Sequence, residues 1–115
     1  MPIPLDTQEQ YEQLWFADSP HGNGPLPDRW MILFTTRNCA PCTRLDKEAI
    51  ETAATAAGYA FFICDAAKNR YTPIFCDVSR FPTFQLMRPG HVIATLTSAD
   101  TATVTDWILK HTGAE

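Results

Sequence analysis

The sequence predicts one α/β domain over residues 1–115: a mixed central sheet with helices on both faces, a three-layer sandwich. Three observations predict it. Two short apolar runs, Trp30–Phe34 and Tyr59–Cys64, are separated by a segment of helical periodicity, and a strand–helix–strand unit sets its strands parallel. Neither run alternates polar with apolar residues, the pattern of strands covered on both sides. Pro89-Gly90 then divides two further strand-like runs, Thr83–Met87 and His91–Thr97, which makes them an antiparallel hairpin.

The elements follow in order. Residues 6–17 form a first helix, capped by Asp6 or Thr7, with Tyr11, Leu14 and Trp15 as its apolar stripe. Leu5 is expected in a short strand before it. Residues 18–28 hold three prolines and two glycines, and are expected as a surface loop. After the first apolar run, a second helix runs from Cys39 to about Ala57. Leu45, Ala49, Ile50 and Ala53 trace its buried side, Arg44, Lys47, Glu48 and Glu51 its wet side, and Gly58 stops it. Phe61 and Phe62 are adjacent on the second strand, so they point to opposite faces, as burial on both sides requires. Residues 66–71 are expected as a short helix ended by Pro73. The last helix starts after Ser98 with Asp100 in its first turn, buries Val104, Trp107, Ile108 and His111, and ends at Gly113.

Composition excludes several functions. At 115 residues and 45% hydrophobic, the chain can build one core. Its formal charge of −4 and its scattered basic residues do not make a nucleic-acid surface. No run approaches the length of a membrane span, and the N-terminus lacks the basic and apolar regions of a signal peptide, so a cytosolic location is expected. In that compartment structural disulfides are disfavoured. Of the four cysteines, Cys39 and Cys42 are expected as a reactive pair, and Cys64 and Cys76 as thiols that pack as small apolar groups.

Cys39-Ala40-Pro41-Cys42 carries the chemistry. It stands between the first apolar run and a helix, so Cys39 lies at a helix N-terminus, where unpaired N–H groups and the dipole favour its thiolate. Cys42 lies one turn further on the same face and suits the resolving role. Cys39 attacks a disulfide, a mixed disulfide forms, and Cys42 displaces the partner. Pro41 fixes φ at an early helical position, where no helical bond is lost. A CxxC is also half of a zinc site, but His21, His91, His111, Cys64 and Cys76 form no second close ligand pair. Pro82 either opens a strand, where proline is tolerated, or lies beside the dithiol. Asp65 and Asp77 are expected to end strands and loops, and Trp30 and Trp107 to lie in the core.

Taken together, Met31–Phe34, Cys39–Cys42, Phe61–Asp65, Phe81-Pro82-Thr83 and the terminal hairpin and helix resemble the thioredoxin family over nearly the whole chain outside 18–29. The resemblance implies a thioredoxin-like fold, a cis Pro82 beside the dithiol, and backbone pairing of substrate at Phe81. It implies substrate-binding positions at Arg37, Asn38, Ala40, Pro41, Arg80, Phe81 and Pro82. It implies a monomer that reduces protein disulfides without a bound cofactor or metal, supplied with electrons by a thioredoxin reductase or a glutathione-type thiol. The chain departs from the family pattern at several positions. Ala40 replaces a glycine and Asn38 a tryptophan. Leu33 and Phe61 replace a buried aspartate and its lysine companion, so Cys42 needs water or another group as base. Lys47 replaces a helix proline, which predicts a straighter helix, and Ser98 replaces a glycine near the docking surface. The competing expectation is a redox-inert module that holds one partner at the Pro82 groove.

Overall fold

The computed structural model describes residues 2–16 and 27–112. Most of the 18–28 loop, with His21, and the helix stop at Gly113 lie outside the described residues. The elements run β1 (Ile3–Pro4), α1 (Gln8–Trp15), β2 (Trp30–Thr35), α2 (Ala40–Thr43), α3 (Lys47–Ala56), β3 (Ala60–Asp65), α4 (Tyr71–Phe75), β4 (Thr83–Arg88), β5 (His91–Thr97) and α5 (Thr101–Lys110). All five strands join one sheet in the order β1-β3-β2-β4-β5. β1, β3 and β2 are parallel, while β4 pairs antiparallel with β2 and β5 antiparallel with β4. The expected three-layer α/β architecture is therefore the observed one.

The sheet divides the core in two, and the residue alternation along each strand decides which side each group takes. Met31, Leu33, Phe61, Phe84 and Leu86 pack with Ile50, Val104 and Ile108 of α3 and α5. Trp30, Ile32, Phe34, Phe62 and Met87 pack on the other face with Tyr11 and Leu14 of α1. Phe61 and Phe62 thus fill opposite layers, and Trp30 is fully buried. Trp107 is only half-buried at the margin of its layer.

Local chemistry sets the boundaries. Thr7 caps α1: its hydroxyl accepts from the Gln10 N–H at 3.1 Å, and the Gln10 side chain reaches back to the Thr7 N–H at 3.1 Å. Gly58 ends α3 in the left-handed region, φ 92°, where the Tyr59 N–H returns to the Ala54 carbonyl at 2.9 Å. Asp100 sits just outside α5 as its cap, accepting from the Thr103 N–H at 3.1 Å, rather than inside the first turn.

Two expectations are corrected. The helix after the CxxC is neither continuous nor straighter: it breaks at residues 44–46, ahead of Lys47 and without any proline. The Asp46 N–H donates to Thr101 Oγ1 of α5 at 3.0 Å instead of continuing α2. The Asp46 carboxylate then accepts from the Ala49 N–H at 3.1 Å, starting α3 afresh. An interior aspartate has stronger alternatives than helix, and here two hydrogen bonds take them. The short helix also lies later than 66–71. Residues 66–68 are held in a turn by Asp65, whose carboxylate accepts from the Ala67 N–H at 2.9 Å. α4 then contains Pro73 as its third residue, in the first turn, where the missing N–H has no helical partner to lose. Buried Asn69 secures that start. Its Oδ1 accepts from the N–H groups of Tyr71 and Thr72, and its Nδ2 donates to the Leu5 carbonyl at 3.2 Å.

Candidate active site

β2 delivers the chain to the site and Asn38 turns it. Asn38 adopts φ 59°, a left-handed conformation that asparagine tolerates better than most residues and a tryptophan tolerates poorly. That gives a local reason for asparagine before the first cysteine. Cys39 follows as the cap of α2, with extended φ −100° and ψ 95°. Pro41 lies in the first turn, and the Thr43 hydroxyl donates to the Ala40 carbonyl at 2.7 Å. α2 lasts a single turn before buried Leu45 anchors it to the core.

Cys39 and Cys42 are joined in a disulfide, with Cα atoms 5.3 Å apart. The two sulfurs are unequally placed. Cys39 is half-buried, whereas Cys42 is only 4% exposed. The Cys42 N–H donates to Cys39 Sγ at 3.2 Å, the kind of contact that stabilises a thiolate once the bond is reduced. On the other side of Cys39 lies the Phe81 carbonyl, 3.8 Å from Sγ. The Phe81–Pro82 peptide is cis, and Pro82 is buried. The Thr83 hydroxyl ties this loop down, donating to the Arg80 carbonyl at 2.7 Å and bonding Thr97 of β5 at 2.8 Å.

The structure thus brings Cys39 against the Phe81 carbonyl, next to cis Pro82, with Asn38, Ala40, Pro41 and Cys42 adjoining Cys39 in the turn and in α2. Arg37 and Arg80 are exposed, and among the described residues neither side chain hydrogen-bonds or ion-pairs with either sulfur. One feature escaped the sequence reading. An open groove beside the disulfide is lined by Thr35, Thr36, Asn38, Cys39, Cys42 and Lys47. Lys47 reads from sequence as a wet-side residue standing where the family has a helix proline, not as part of the site. The signal for its place is the helix break, which restarts the chain at Asp46 and makes Lys47 the first residue of α3.

The remaining thiols belong to a different environment. Cys64 and Cys76 are free and lie in the core layer with Tyr11, as the sequence reading expects. Burial pushes the Cys64 thiol up to about 12, with the nearby Cys76 and Asp65 adding to the shift. Burial pushes Cys76 up to about 11, partly offset by the hydrogen bond that Tyr11 gives it. Neither is a nucleophile near neutral pH. Among the described residues, no cluster of three or more His, Cys, Asp or Glu side chains is placed to hold a metal ion.

The sequence model of the family described as Thioredoxin matches residues 26–110. Comparison with curated proteins gives no match. Solved structures give many, with low identity. The thioredoxin of Malassezia sympodialis superposes with a TM-score of 0.77 at 17% identity, covering 97% of this chain and 91% of that one. The thioredoxin of Trypanosoma brucei brucei gives 0.77 at 20%, covering 100% and 93%. The thioredoxin pre-protein of Schistosoma mansoni gives 0.70 at 24%, covering 94% and 95%. At these identities the likeness is one of fold, and the family match over most of the chain supplies the rest. This chain belongs to the thioredoxin family, and the Cys39–Cys42 disulfide makes it a thiol–disulfide oxidoreductase.

Proposed function

We propose that the chain works as a reductase of protein disulfides, with Cys39 as the attacking and Cys42 as the resolving thiol. The supporting observation is the asymmetry of the pair: Cys39 is the more exposed sulfur, receives the Cys42 N–H, and borders the Phe81 carbonyl. Reduced Cys39 attacks one substrate sulfur as its thiolate, and the substrate S–S bond breaks as the mixed disulfide forms. The departing substrate thiolate takes a proton. Cys42 then attacks Cys39 Sγ, the Cys39–Cys42 bond forms, and the second substrate sulfur leaves as a thiolate that also takes a proton. Two electrons have passed to the substrate.

An extended substrate segment adds at Phe81, whose carbonyl accepts from the substrate backbone, while Asn38, Ala40, Pro41 and Pro82 form the walls beside it. Exposed Arg37 and Arg80 favour acidic segments. Regeneration takes electrons from a thioredoxin reductase or a glutathione-type thiol. This role suits a reducing compartment such as the cytosol, where Cys64 and Cys76 stay as thiols.

Insulin reduction under a dithiol supply tests the assignment. Wild type accelerates it, Cys39→Ser abolishes the acceleration, and Cys42→Ser accumulates a mixed disulfide with the substrate that mass spectrometry detects at Cys39. Wild-type turnover no faster than the dithiol alone would leave a partner-binding module as the better reading.

A further inference from the structure

The resolving thiol is buried, and among the described residues no carboxylate lines the groove it borders. Leu33 and Phe61, on the central strands, lie in an apolar cluster with Met31 and Phe84. The acidic groups of the surrounding elements are turned to other tasks. Asp46, capping α3, accepts from the Ala49 N–H; Asp65, at the end of β3, accepts from the Ala67 N–H; Asp100, capping α5, accepts from the Thr103 N–H. Glu51 lies one turn beyond Lys47 on α3 and has an interaction partner; with Glu48 it lines a separate pocket that Lys47 also borders. Arg44 on the Cys42 segment, Arg37 on the preceding loop and Arg80 on the Phe81 loop are exposed. Lys47 is the charged side chain that shares the groove with Cys42.

Resting on the reductase reading above, we infer that Lys47 is a positioning residue for the resolving step: its ammonium, in the groove, favours the Cys42 thiolate, and groove water accepts the proton. Burial alone opposes that ionisation, because a thiolate removed from water loses hydration. A cation at the open side offsets the loss and needs no buried acid–base pair. The Cys42 thiolate then attacks Cys39 Sγ of the mixed disulfide, the Cys39–Cys42 bond forms, and the Cys39–substrate bond breaks. The substrate sulfur takes its proton from solvent. Lys47 neither gains nor loses a proton in this sequence.

The test is the titration of Cys42 in the full-length Cys39→Ser protein, followed by the NMR shift of its Cβ carbon, which needs no reagent to reach the buried sulfur. Lys47→Met is expected to raise the midpoint by about one pH unit, about tenfold less thiolate at neutral pH. Lys47→Arg keeps the charge and is expected to keep the midpoint. In the parent protein, about 1 M salt is expected to raise the midpoint as well, since the groove is open to screening. This second measurement stands even where Lys47→Met fails to fold. A midpoint unmoved by both Lys47→Met and salt overturns the inference, as does Lys47→Arg behaving like Lys47→Met; should Lys47→Met fail to fold, an unmoved midpoint in salt overturns it alone. Insulin turnover by wild type is read separately: its absence sinks the reductase assignment, while the Cys42 titration alone decides what Lys47 does.

Discussion

Raising the pH from 7 to 10 should unfold this protein more easily through two thiols that take no part in its chemistry. Cys64 is fully buried and its thiol is pushed up to about 12; Cys76 is pushed up to about 11; both start from an ordinary value of 9.0. A folded value above the unfolded one means that the native state holds its proton where the unfolded chain has released it. Their contribution is therefore full below about pH 9 and falls as pH rises toward 11 to 12. At pH 10 the unfolded chain has gained about 1.4 kcal/mol from ionising each thiol while the native chain has gained almost nothing, about 3 kcal/mol together. That is a large share of the roughly 5–15 kcal/mol that stabilises a typical domain. Urea denaturation of the oxidised protein at the two pH values, followed by circular dichroism, measures the loss. The Cys64→Ala/Cys76→Ala protein supplies the reference: Tyr11 loses its Cys76 partner there, but burial, the main cause of its upward shift, keeps its hydroxyl protonated over this interval in both proteins. Wild type should lose about 3 kcal/mol more than the double variant over this interval. Equal losses would mean that the two thiols are more hydrated than their burial implies, and the reasoning would fail.

Other outcomes follow from the site and its supports. Asp46→Ala removes the cap that starts α3 after the break and should cost about 1 kcal/mol, read as a lower Tm by thermal unfolding; an unchanged Tm would show that the Thr101 contact alone holds the junction. The reduction potential, from equilibration with glutathione, should fall at roughly −270 to −200 mV, between strongly reducing dithiols and glutaredoxins. A value near about −120 mV would identify an oxidant and reverse the proposed electron flow.

Much of the fold was legible because it rests on short-range patterns with strong physical causes. Trp30–Phe34 and Tyr59–Cys64 are apolar on both faces, and only a strand buried in the middle of a sheet accommodates that. Pro89-Gly90 marks its hairpin, with Gly90 at φ 69°. The CxxC announced the site because two thiols one turn apart have few other uses. The errors share a different origin. The break at residues 44–46 depends on Thr101, fifty-five positions away, accepting the Asp46 N–H. No local propensity reveals that contact, and the apolar stripe of α3 continues the periodicity of α2 closely enough to hide the seam. Pro73 misled in the opposite way. It was read as a breaker, yet Asn69 caps the turn beneath it from outside the helix. The Lys47 groove was missed for the same reason as the break, since the one creates the position of the other.

The apolar filling at Leu33 and Phe61 joins stability to chemistry in this chain. A carboxylate in that layer would need a hydrogen-bonding or cationic partner to persist, and Met31, Phe84, Leu86, Val104 and Ile108 offer none. Leucine and phenylalanine there each contribute about 1.5–3 kcal/mol by leaving water, with no ionisable group to satisfy. The same cluster offers no carboxylate to take a proton from Cys42 on the core side. The thiol must then ionise toward the surface, and the single-turn length of α2 keeps that surface near. Because the chain breaks after Thr43, residues on both sides of the break line one groove with Cys42. A continuous helix over the same residues would place Lys47 five positions on from Cys42, about 140° around the axis and out of line with it. The break and the dry core are thus two parts of one arrangement, which moves the control of the resolving thiol from a buried acid to a cation at the edge of an open groove.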